Sequence, residues 1–132
     1  MSTVAKGSFT VEMKPQAEPV SVDGVSLGRA SLDKRFEGDL QGVGVGEMLT
    51  ALTPVKGSAG YVAIERVTGT LHGRAGSFVF QHSGTMNTGA QHLTIAVVPG
   101  SGTGALRGIT GSFALKIVDG MHLYEFTYAL PE

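Results

Sequence analysis

Twenty glycines are spread along this chain of 132 residues, and between them stand short runs rich in valine, threonine, phenylalanine and tyrosine. That punctuation constrains the fold more than any motif does. Glycine at this density, without a collagen period, marks turns and close β packing. The residues between favour pleated strands, and helical periodicity is nearly absent. The pattern predicts eight strands: Lys6–Met13, Gly28–Glu37, Leu40–Leu52, Tyr61–Gly73, Gly76–Thr85, Gln91–Val98, Gly111–Val118 and Met121–Leu130. The stretch from Pro15 to Leu27, polar and with two prolines, is expected to be a surface loop.

Three hairpins test the map, because residues directly opposite one another share a face. Asp119-Gly120 suits a type I′ turn and pairs Ile117 with His122, Leu115 with Tyr124, Phe113 with Phe126 and Gly111 with Tyr128. A turn on Arg74-Ala75 pairs Leu71 with Phe78, Gly69 with Phe80, Val67 with His82 and Glu65 with Gly84. In both, the large apolar groups coincide. A turn on Gly38-Asp39 pairs Phe36 with Gln41, Lys34 with Val43 and Leu32 with Val45, a poorer match because Lys34 joins the apolar side. Eight one-faced strands joined by short turns make an all-β fold with two solutions, a sandwich or a barrel without free edges; the near-even up-and-down spacing favours the eight-stranded antiparallel closed barrel. Glycines at 42, 44, 46 and 69 relieve crowding where a small sheet closes.

The length suits a single domain, residues 1–132. With no cysteine, disulfides and thiolate metal sites are excluded. The formal net charge of −1 and scattered lysines and arginines argue against a nucleic-acid partner, which calls for a basic stripe. No apolar run nears the roughly 20 residues that span a bilayer, and the first residues lack a signal-peptide core. A cytoplasmic protein without a membrane partner is expected.

The block Glu65-Arg66-Val67-Thr68-Gly69-Thr70-Leu71-His72-Gly73-Arg74-Ala75-Gly76-Ser77-Phe78-Val79-Phe80-Gln81-His82-Ser83-Gly84 resembles the bacterial family known as domain of unknown function 3224. So does Val98-Pro99-Gly100-Ser101-Gly102-Thr103-Gly104-Ala105-Leu106-Arg107-Gly108. The resemblance runs from the first predicted strand to the eighth. It implies the barrel of allene oxide cyclase, a fold similar to that of plant dirigent proteins. Those relatives bind apolar small molecules in the barrel and steer ring closure or coupling; the family itself implies no reaction, and no cyclase residue transfers by motif.

The chemistry-bearing residues can be weighed by alternation. Glu65 and His82 become diagonal neighbours on the inward face, within reach of one another. A carboxylate holding an imidazole in one tautomer makes a general base inside an apolar cavity; the same pair also serves as a buried hydrogen-bonded couple without chemistry. Tyr124 and Tyr128 lie inward with Phe80 and Phe126, as ligand contacts or as plain core. Lys34 and Glu47 reach the lumen near a mouth, with their charges turned to solvent. His72 and His92 are expected to point outward, so the three spaced histidines cannot converge on a metal. Gly100 to Gly108 lacks the helix of a dinucleotide fingerprint and reads as a loop with one helical turn. No serine has a fixed histidine partner or an elbow motif.

Three functions follow: a barrel binding a small apolar molecule without a cofactor, a cofactor-free isomerase, cyclase or lyase in the same lumen, or a structural protein whose outward faces pair with copies of itself. Exposed Val62, Ile64 and Val79 suggest that the chain also pairs with copies of itself as a homo-oligomer.

Overall fold

Alternation of apolar and polar residues gives each strand one face to bury. The computed structural model describes residues 2–131, which form nine strands and one 3-10 turn. The strands are β1 (Thr3–Pro15), β2 (Val20–Val22), β3 (Val25–Gly38), β4 (Leu40–Leu52), β5 (Ala59–Leu71), β6 (Arg74–Asn87), β7 (Ala90–Val97), β8 (Thr110–Val118) and β9 (Met121–Ala129). All pairings are antiparallel. β1 bonds to both β9 and β3, which closes eight strands into a barrel. β2 is the extra strand, held outside the ring on β3. The expected loop from Pro15 to Leu27 is thereby corrected: β1 runs to Pro15, and Asp23-Gly24 turns β2 back onto β3.

The three predicted hairpins fare differently. The Asp119-Gly120 hairpin has the predicted register, with Phe113 opposite Phe126 and Leu115 opposite Tyr124. The β5–β6 turn falls on His72-Gly73 instead of Arg74-Ala75, with positive φ at both residues (47° and 80°), as a type I′ turn requires. Each partner therefore moves by four residues, so Leu71 faces Arg74 and Val67 faces Phe78. An even shift preserves the faces. The β3–β4 register slips by one residue: Phe36 faces Gly42, Lys34 faces Gly44 and Leu32 faces Gly46. An odd shift exchanges the faces. Val43 and Val45 consequently point to solvent, and Gly42, Gly44 and Gly46 line the interior.

The interior is sealed at one end and parted at the other. Phe36, Phe78, Phe80 and Phe126 are fully buried at the sealed end. Leu106, from the 3-10 turn Gly104–Leu106, and Ile109 close it from below. The connection from β7 to β8 is sewn to β6: the Thr103 amide donates to the Ser77 carbonyl (2.8 Å), and the Val79 amide to Ser101 Oγ (3.0 Å). At the other end the ring is thinly stitched. β7 and β8 pair only at Ala96 and Ser112, and the inward positions Leu93 and Ile117 beyond that point are 43% and 63% exposed. No helix of the described residues is long and apolar enough to cross a membrane.

Candidate functional site

Mid-barrel, the aromatic packing is interrupted by three buried polar side chains, Lys34 from β3, Glu65 from β5 and His82 from β6. Glu65 lies opposite Phe80 and His82 opposite Ala63, so the two are diagonal neighbours on the inner face, although through a different register from the predicted one. Glu65 Oε1 accepts from His82 Nε2 at 2.9 Å and from Lys34 Nζ at 3.1 Å. Lys34 Nζ also stands 5.0 Å from the centre of the Phe9 ring, a cation–π approach. Glu65 Oε2 is sealed from solvent without a hydrogen-bond partner, the one such side-chain atom among the described residues. It lies against Gly44, where a Cβ would sit 2.1 Å from it. The glycine is the space the carboxylate occupies.

Two charges here cancel. Burial pushes the Glu65 carboxyl up, but the His82 hydrogen bond and the Lys34 charge outweigh it and hold the group below its ordinary value of 4.5. A carboxylate therefore faces Nε2, which makes Nε2 a protonated ring nitrogen; in the neutral imidazole the lone pair then lies on Nδ1. Nδ1 makes no hydrogen bond to a described residue, and it is not among the atoms sealed from solvent.

One inward position nearer the parted end stands Tyr61, its ring centre 6.4 Å from that of His82. Tyr61 lies across Gly84, its cross-strand partner, where a Cβ would come within 2.5 Å of the ring. Burial first, and the Glu65 charge second, push the Tyr61 phenol up, so it stays a proton donor. Beyond it a mostly apolar cleft of 330 Å³ opens between β4, β5, β6 and β7, lined by residues that include Met48, Thr50, Leu52, Tyr61, Met86 and Leu93. Cleft, phenol and ion cluster form one column along the inside of the barrel.

The other sequence-derived candidates lie elsewhere. Phe80 and Phe126 pack ring to ring at 5.3 Å in the sealed half. The Tyr124 hydroxyl donates to the Glu37 carbonyl (2.8 Å) and accepts from the Leu40 amide (3.0 Å), which pins the β3–β4 turn. Tyr128 meets His72 Nδ1, and His72 Nε2 stands 3.5 Å from Asp39 Oδ2. His72 is thus not an outward strand residue but part of a turn, and its ring bridges to β9. Glu47 is outside the barrel, paired with Arg29 at 2.6 Å, because the one-residue slip of β4 turned it out. The same slip left Lys34 inside, bonded to Glu65 and no longer reaching a mouth. His92 is exposed at the rim of the cleft, and no group of three potential ligands is placed to hold a metal among the described residues. Tyr61 was legible in principle, since it shares the odd parity of Glu65 on β5.

The pattern that defines the family described as "Protein of unknown function (DUF3224)" matches residues 5–128. The chain belongs to that family. A solved structure of a DUF3224 protein of unknown function from Shewanella oneidensis MR-1 shares 48% identity with it, over 100% of both chains, at a TM-score of 0.95. Among curated proteins none matches this DUF3224 chain. The resemblance of the Glu65–Gly84 and Val98–Gly108 blocks to DUF3224, and the barrel it implied, are thus both found.

Proposed function

We propose that this DUF3224 barrel binds a small, mostly apolar molecule in the cleft at its parted end. The observation that carries this reading is the column itself: an apolar cleft of 330 Å³ ends on Tyr61, beneath which lies a buried Lys34–Glu65–His82 cluster. Ligand sites combine apolar walls with a few polar groups, and burying an ion pair is seldom the most stable way to fill a core. β7, which carries Leu93 of the cleft wall, is paired to β8 only at Ala96 and Ser112. Titration with the neutral dye N-phenyl-1-naphthylamine tests it. Fluorescence should rise with wild type and not with Thr50→Trp, which fills the cleft. Equal enhancement with both proteins would place the dye elsewhere and remove the reading.

A second reading, a cofactor-free isomerase, cyclase or lyase, is favoured by the 2.9 Å Glu65–His82 contact. In it His82 acts as the base and Glu65 orients it. Turnover unaffected by His82→Ala would end it. Exposed Val45, Leu49, Val62 and Ile64 on the outer face of β4 and β5 suit self-association, which sedimentation would detect. We also propose a cytoplasmic location, with which a chain free of cysteine is compatible.

A further inference from the structure

We infer that the ligand of this cleft is a neutral molecule with an apolar body and a single inward hydroxyl, which accepts from Tyr61 and donates to His82 Nδ1. The inference rests on the binding reading above and specifies its chemistry.

Charge comes first. The inner end of the cleft stands over an ion pair that is already balanced, Lys34 against Glu65. An anionic ligand would find the Lys34 ammonium committed to that carboxylate and to the Phe9 ring. A cationic ligand would have to reach Glu65 Oε2, which is wedged against Gly44. Any net charge entering an apolar cleft without a counter-charge loses its hydration uncompensated. The ligand is therefore neutral.

The polar handles set the rest. Tyr61 and His82 sit next to each other on the inner face. Neither the Tyr61 hydroxyl nor His82 Nδ1 has a hydrogen bond to a described residue. The phenol is a donor, and with Nε2 bonded to the Glu65 carboxylate at 2.9 Å the neutral His82 ring offers Nδ1 as an acceptor. A hydroxyl is the smallest neutral group that satisfies both at once. An ether can only accept, and a hydrocarbon does neither. Sites built to bond a hydroxyl discriminate strongly against analogues that lack it, since their own buried groups are left unpaired.

The test uses three probes of one skeleton: 2-naphthol, 2-methoxynaphthalene and 2-naphthoate, titrated at pH 7 against the folded protein. The naphthol should bind about tenfold or more tighter than its methyl ether, with the carboxylate weakest. The preference should shrink in Tyr61→Phe, which keeps the ring over Gly84. Direct nitrogen NMR of wild type should show His82 Nδ1 unprotonated, a readout that needs no variant and no ligand. If naphthol and ether bind equally, the hydroxyl assignment falls while the cleft stands. If none of the three binds, and the apolar dye does not either, the cleft reading falls with it. A protonated Nδ1 overturns the inference on its own.

Discussion

The two ends of this barrel are built from the same kind of strand and behave as opposites. At the sealed end, inward positions carry phenylalanines in contact with one another, and a connecting segment is bonded to β6. At the parted end, the corresponding positions carry Leu93, Met86, Thr50 and Ile117, and the ring holds only one β7–β8 pairing. The contrast shows that stability and accessibility have been separated along one axis. One half supplies cohesion, the other a surface concave enough to take a guest, and the Lys34–Glu65–His82 cluster lies between them.

The largest effects should therefore come from the sealed half. Phe126→Ala should cost about 3–5 kcal/mol, as deletion of a buried aromatic ring does, whereas Leu93→Ala should cost about 1 kcal/mol or less. Urea unfolding reads both, and equal losses would dissolve the contrast. At the boundary, Lys34→Met leaves a carboxylate buried without its counter-charge and should cost about 3–5 kcal/mol. Adding Glu65→Gln should recover much of that loss; a double variant as unstable as the single one would mean that the lysine acts through packing alone.

How much of this was readable from residues depended on the turns. Asp119-Gly120 states its own geometry, so β8 and β9 could be paired residue by residue. His72-Gly73 does not, because histidine at positive φ is uncommon; the resulting error was even, and Glu65 and His82 stayed on one face. The β3–β4 connection was the costly case. Treating Val43 and Val45 as inward followed the usual rule that apolar residues are buried, but glycines occupy that face because strands β4 and β5 approach too closely for a Cβ: one on Gly46 would lie 2.0 Å from the Ile64 carbonyl. The slip hid the role of Lys34, and with it the neutral pairing that shapes the site. The parting of β7 from β8 has no local signature, since it depends on how the whole ring closes.

Smaller effects sharpen the comparison. Tyr124→Phe removes the anchor of the β3–β4 turn and leaves the Leu40 amide unpaired, a loss of about 1–3 kcal/mol. An unchanged unfolding midpoint would show that another group takes over. Glu65 supplies the pH dependence. Its carboxyl is held below 4.5 in the folded chain, so the unfolded chain binds that proton more readily. The stability contributed is complete above the ordinary value and disappears as pH falls through the lower, folded one. Acid unfolding of Glu65→Gln should accordingly show a shallower dependence in that window than wild type, and identical profiles would sink the assignment. Least of all, His72→Asn keeps a residue tolerant of positive φ while removing the links to Tyr128 and Asp39. It should cost about 1 kcal/mol and leave dye binding at the far end untouched.

Gly44 carries a consequence for anyone mapping this domain by exhaustive substitution. It has no side chain, no charge and no reactive atom, yet a single added methyl would collide with the Glu65 oxygen and dislodge the carboxylate that orients His82. In such a survey position 44 would score as severely as any reactive residue, while its neighbour 43, whose side chain points out of the barrel, would tolerate most residues other than proline. Intolerance at a site of this kind reports the room a neighbour needs, not the chemistry of the residue that vacates it.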